Sequence, residues 1–98
     1  MKFNTKLLHG NKMGDANTGA TLTPVYQSSA FYQPSAEQHE KLFHNKATGF
    51  SYTRINNPTI FAFEERMTAL EGGIASVACA SGMAAITNAL LNVVRAGE

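Results

Sequence analysis

Ser81, Gly82 and Met83 stand where a short apolar run gives way to a new periodicity. The run, residues 74–80 with Ser76 as its one polar interruption, is too short for a helix and reads as a buried strand. Beyond it, Met83, Ile86, Leu90 and Val93 recur at spacings of three, four and three, which predicts a helix opening at Ser81-Gly82. A strand that hands a Ser-Gly turn to a helix N-terminus makes an anion site. The first N–H groups of the helix have no internal acceptor, and the helix dipole places about half a positive charge there. Glycine lets the backbone come close to a phosphate, and the Ser81 hydroxyl can reach the same oxygens. Serine at this position is also an ordinary N-cap, and the residues alone leave both readings open.

Tyr52 and Arg54 form a second candidate pair. In an extended loop, residues two apart point to the same side, so the phenol and the guanidinium fork could grip one phosphate together. Spacing alone favours a solvent-facing arginine beside a half-buried tyrosine. His39 and His44 are five apart and fall on different helix faces, so no metal pair is expected.

The elements that position these residues follow from local signals. Phe3, Leu7 and Leu8 suggest one or two helical turns ending at Gly10, and residues 11–20 are polar, glycine-rich loop. Residues 21–32 are extended in character, but Pro24 forbids a central strand, so an arm lying across something else is expected. Ser35 caps a helix over residues 36–44, with Glu37 in its first turn. A glycine-punctuated loop over residues 46–57 carries Tyr52 and Arg54. Asn57 at the N-cap and Pro58 at the first helical position start a helix that runs to Glu71, where Gly72-Gly73 supply the left-handed stop. Its stripe of Ile60, Phe63, Met67 and Leu70 reads as core, with Glu64, Glu65 and Arg66 towards solvent.

The 98 residues, 44% of them hydrophobic, suffice for one small domain. A net charge of +1 with no basic block argues against nucleic acid or an acidic membrane surface as partner. No apolar run approaches the roughly 20 residues of a membrane span, and the N-terminus lacks the pattern of a signal peptide. The single cysteine, Cys79, excludes an internal disulfide and points to a reducing cytoplasm. Only one strand is convincing, and a lone strand cannot satisfy its own backbone. The chain closes at residues 95–98, where a helix C-cap would hand over to a second strand. The opening segment of a larger α/β protein is the expectation.

Y-T-R-I-N-N-P-T, then A-L-E-G-G, then A-S-G-M-A-A-I, in this order and at these separations, resemble the Cys/Met-metabolism family of pyridoxal-phosphate enzymes. The resemblance extends to the early T-K-L-L-H-G and to the T-P-V-Y-Q-S-S-A-F arm. It implies an α/β fold of type I, with residues 1–57 as N-terminal arm and intersubunit loop and residues 58–98 as the start of the large cofactor-binding domain. It implies pyridoxal 5'-phosphate as cofactor, with Ser81, Gly82 and Met83 on its phosphate, the latter two through backbone N–H groups. Tyr52 and Arg54 would reach the same phosphate from a neighbouring identical subunit, within a homodimer or tetramer. The catalytic lysine of the family would lie downstream, since Lys2, Lys6, Lys12, Lys41 and Lys46 fall in none of its motifs. The 98 residues alone are then not expected to be active.

Within the family, the spacing around residues 39–54 looks most like O-acetylhomoserine sulfhydrylases, which convert O-acetylhomoserine and sulfide to homocysteine and acetate. Met83 departs from them, because many carry glutamine there and methionine is commoner among cystathionine and methionine enzymes. The alternatives are therefore a cystathionine γ-synthase or γ-lyase, a methionine γ-lyase, or, outside catalysis, a remnant that binds phosphate ligands or a partner subunit.

Overall fold

A computed structural model describes residues 1–10 and 14–98, so the polar loop expected over residues 11–20 lies partly outside the described residues. Four helices follow in order: α1 (Phe3–His9), α2 (Ala36–Phe43), α3 (Pro58–Glu71) and α4 (Gly82–Val93). Each of the last three begins on the residue its sequence marks as a cap. Ser35 Oγ accepts from Gln38 N–H, Asn57 Oδ1 from Thr59 N–H and Ser81 Oγ from Ala84 N–H, at 3.1, 2.8 and 3.1 Å. Such caps supply acceptors for N–H groups that the helix itself leaves without one. Gly72 closes α3 in the left-handed conformation, φ 66° and ψ 26°. Gly72 and Gly73 both donate to Thr68 O, the second as the six-residue closure of a Schellman motif.

α1 packs on α3. Gly10 makes this approach: φ is +61°, and a Cβ there would lie within 4.0 Å of Arg66 Cα, Cβ and Nε. The buried side chain of α3 is Ala69, 8% exposed. Of the expected stripe, Met67 and Leu70 are half-buried, whereas Ile60 and Phe63 are 40% and 56% exposed. Arg66, expected in solvent, is half-buried.

The arm, residues 21–33, runs antiparallel to the 50–53 segment and past the start of α3. Phe31 N–H donates to Ser51 O at 3.0 Å and Thr53 N–H to Ser29 O at 2.8 Å, around a single antiparallel bridge between Ala30 and Tyr52. Gln33 Nε2 donates to Phe50 O at 2.7 Å. Phe31, Phe50 and Phe61 link arm, loop and α3 through ring contacts of 5.9 and 6.3 Å. Among the described residues the arm therefore lies on its own loop through one bridge and forms no sheet, in keeping with the extended arm expected from Pro24.

Residues 74–80 were expected as a strand, but the described residues provide no neighbouring strand and the segment has no ladder. Its apolar side chains stand in the open, Ile74 and Val77 at 103% and 82% exposure. Side chains of α3 hold it instead. Ala78 N–H donates to Glu64 Oε1 at 2.8 Å, and Thr68 Oγ1 lies 2.8 Å from both Ser76 Oγ and Glu64 O. The fit is metric, since four helical residues rise about 6 Å and two extended residues about 6.6 Å. Glu64 and Thr68 on one helix face therefore match Ala78 and Ser76 on an antiparallel extended chain.

Candidate functional site

The N-terminus of α4 is assembled from local chemistry. Ser81 is extended, φ −153° and ψ 161°, and its Oγ caps Ala84 N–H. Ala85 N–H donates to Ser81 O at 3.1 Å. The N–H groups of Gly82 and Met83 have no acceptor among the described residues. The cap reading of Ser81 holds, and it leaves the phosphate reading intact. A hydroxyl that accepts with one lone pair still has its own proton to donate.

Ser81, Gly82 and Met83 are all exposed. A Cβ added at Gly82 would meet nothing within 4 Å, so there is open space where a ligand could touch the backbone. No acidic residue stands in the first turn of α4, so nothing local opposes an anion there. Free N–H groups, a hydroxyl, a bare backbone and positive dipole polarity fit a phosphate monoester, and hence the phosphate of pyridoxal phosphate.

Tyr52 and Arg54 also come together, though not by extended alternation. The chain turns after Tyr52, whose carbonyl accepts from Ile55 and Asn56 N–H at 2.9 and 3.0 Å. The turn folds Arg54 back, placing its Cζ 5.3 Å from the centroid of the Tyr52 ring. Such a cation–π contact at an exposed site contributes about 0.5–1 kcal/mol. Both side chains are exposed, and no carboxylate pairs with Arg54 among the described residues. The guanidinium thus remains available for a bidentate contact with phosphate.

No hydrogen bond or ring contact joins the Tyr52–Arg54 turn to Ser81, Gly82 or Met83 among the described residues. Each half of the candidate site is formed, and Arg54 lines one pocket with Val77 and Ala78 of the segment that leads to Ser81. His39 stacks on Phe43 with centroids 5.0 Å apart, and His44 lies 3.9 Å from Glu40, so neither histidine faces the other. No described helix is long and apolar enough to cross a membrane.

Two residues that hold the site in place escape a reading by periodicity. Asn57, 3% exposed, caps α3 and donates through Nδ2 to Tyr26 O and Thr53 Oγ1, at 3.0 and 3.1 Å. It thereby fixes the arm and the Tyr52 turn to the same helix end. Glu64, expected towards solvent, is half-buried and holds the segment leading to Ser81. Ser76 carries the available signal, because a polar side chain inside an apolar run needs a partner.

Residues 4–98 match the family of Cys/Met metabolism PLP-dependent enzymes. An O-acetyl-L-homoserine sulfhydrylase of Corynebacterium glutamicum is 45% identical over 96 residues, 98% of this chain and 22% of that protein. A cystathionine gamma-lyase of Bacillus subtilis is 45% identical over 91 residues, 93% of this chain and 22% of that protein. The whole chain superposes on 24% of a putative O-acetylhomoserine (thiol)-lyase of Campylobacter jejuni, solved with pyridoxyl-lysine monophosphate, at 32% identity and a TM-score of 0.88. The chain thus spans under a quarter of the length of these relatives. A serine-capped helix N-terminus suited to phosphate, met by a family match over residues 4–98, places this chain in the Cys/Met-metabolism family of pyridoxal-phosphate-dependent enzymes.

Proposed function

We propose that these residues form the amino-terminal portion of a sulfhydrylase that turns O-acetylhomoserine and sulfide into homocysteine and acetate. The observation that carries this reading is the exposed, serine-capped start of α4, with open space at Gly82. Ser81 donates its hydroxyl proton to the cofactor phosphate, and Gly82 and Met83 donate their N–H groups. Tyr52 and Arg54 contribute to the phosphate site of a neighbouring identical subunit, a role supported by an exposed guanidinium that stacks on Tyr52 and meets no carboxylate among the described residues. Residues 1–57 serve as arm and intersubunit loop, and residues 58–98 begin an α/β cofactor-binding domain in a cytoplasmic homodimer or tetramer. When bound, pyridoxal phosphate supplies the electron sink that lets acetate leave the γ-carbon. The lysine that holds it is supplied outside these residues, so they do not catalyse alone.

A second reading, a cystathionine γ-lyase or methionine γ-lyase, is favoured by methionine at position 83 and by the relatives that carry those activities. Acetate release from O-acetylhomoserine with sulfide, against thiol release from cystathionine or methionine, separates the two. The cofactor site is tested in the whole enzyme by titrating apoprotein. Gly82→Val should weaken pyridoxal phosphate binding more than tenfold, since each hydrogen bond to a charged oxygen is worth about 1.5–3 kcal/mol. Ser81→Ala removes one such bond and leaves the backbone donors, which should cost about 1.5–3 kcal/mol in affinity, with a further loss of about 1 kcal/mol at the cap of α4. Unchanged affinity in the valine variant would place the phosphate elsewhere.

A further inference from the structure

α4 makes no packing contact with α3 among the described residues, and Ser81 and Gly82 are exposed. The place of the phosphate cup relative to α3 is therefore set through the segment that leads into it. Among the described residues, the tethers of that segment to α3 are the Glu64–Ala78 and Thr68–Ser76 bonds, both 2.8 Å. Ala78 is three residues before Ser81, and between them Cys79 Sγ meets Asn88 Nδ2 of α4 at 3.7 Å. A shift of Ala78 is thus carried to the start of α4 through a short chain that is also fixed on the α4 side. Glu64 supplies an acceptor oxygen to a backbone donor that has no ladder partner among the described residues.

We infer that Glu64 is a positioning residue for the cofactor phosphate, holding through Ala78 N–H the segment that aims Ser81, Gly82 and Met83. The inference rests on the proposed phosphate role of those three residues. It requires that the benefit of Glu64 be specific to the phosphate of the ligand, because Glu64 acts on the cup and not on the pyridine ring. It also requires an acceptor oxygen at Glu64 and not a negative charge.

The test uses apoprotein of the whole enzyme, titrated in parallel with pyridoxal 5'-phosphate and with pyridoxal, which lacks the phosphate. Glu64→Leu should weaken pyridoxal phosphate binding about tenfold and pyridoxal binding less than about twofold. Glu64→Gln keeps an oxygen for Ala78 N–H and should stay within about twofold of wild type for both ligands. Equal losses for the two ligands, no loss in the leucine variant, or a glutamine variant as weak as the leucine one would each overturn the inference. If Glu64→Leu does not fold, Thr68→Val tests the same clamp, since it leaves the Glu64–Ala78 bond and removes the hydroxyl that meets Ser76 Oγ and Glu64 O. It should give a phosphate-selective loss of about threefold, and its absence is equally fatal. Gly82→Val separates the two levels. If it binds pyridoxal phosphate normally, the cup itself is misplaced; if it loses binding while Glu64→Leu does not, only the role of Glu64 fails.

Discussion

Replacing Asn57 by aspartate separates two tasks that one side chain performs. Asparagine accepts from Thr59 N–H with Oδ1 and donates from Nδ2 to Tyr26 O and Thr53 Oγ1. Aspartate keeps the acceptor and adds negative charge at a helix N-terminus, a gain of about 0.3–1 kcal/mol. It loses both donations, about 1 kcal/mol each, and sets carboxylate oxygen against carbonyl oxygen at a site only 3% exposed. The balance is a loss of about 1.5 kcal/mol confined to the arm and the Tyr52 turn, or about tenfold in local opening. Alanine at position 57 loses the donations and also the cap, which adds about 1 kcal/mol at the first turn of α3. Amide hydrogen exchange in the whole enzyme reads both effects. In the aspartate variant, the Tyr26, Phe31 and Thr53 amides should exchange about tenfold faster while Thr59 and Phe61 stay protected. In the alanine variant, all five should exchange faster. An arm that stays protected in Asn57→Asp, or a first turn that opens equally in both variants, would refute this division of roles.

Arg54 can be assigned to one subunit or the other by mixing a full-length Arg54→Ala subunit with one lacking its catalytic lysine. Action across the interface predicts recovery to about a quarter of wild-type activity under random pairing, since one site in each mixed dimer is then complete; zero activity from verified mixed dimers would rule it out. Acid should loosen the turn at residues 15–20. The Thr18 hydroxyl and then the Thr18 N–H, at 2.7 and 2.9 Å, hold the Asp15 carboxyl below its ordinary pKa. A carboxyl depressed in the folded state adds stability above its unfolded pKa, and that contribution is lost as pH falls through the folded value. The amide shift of Thr18 should report the loss, and should not titrate in Asp15→Asn.

Caps were legible because they are local. Ser35, Asn57 and Ser81 each meet an N–H two or three residues on, and no distant segment is needed to recognise them. The second duty of Asn57 was not legible, because Tyr26 lies 31 residues away and no spacing rule connects them. Glu64 was misread for a related reason. Periodicity sorts a helix into apolar and polar faces, and it assigns the polar face to water even where a backbone donor lies against it. The Tyr52–Arg54 pair was found by the wrong geometry, since the chain turns where alternation was assumed. The α3 stripe holds in part, since Met67 and Leu70 are half-buried while Ile60 and Phe63 have no cover among the described residues.

The clamp from α3 onto residues 74–80 also bears on aggregation during folding. No charged residue occurs between Glu71 and Arg95, so the segment carries none of the charges that usually guard an apolar β-prone run. Among the described residues Ile74 and Val77 stand exposed on an extended segment with no ladder, the kind of template on which strange chains pair until it is covered. Its tethers to Thr68 and Glu64 close loops of only eight and fourteen residues, whereas sheet partners would have to arrive from farther along a chain. Short loops close early and at low entropic cost. These loop lengths favour early capture of the stretch by its own preceding helix, so that α3 would act as an internal escort for the segment that leads to Ser81.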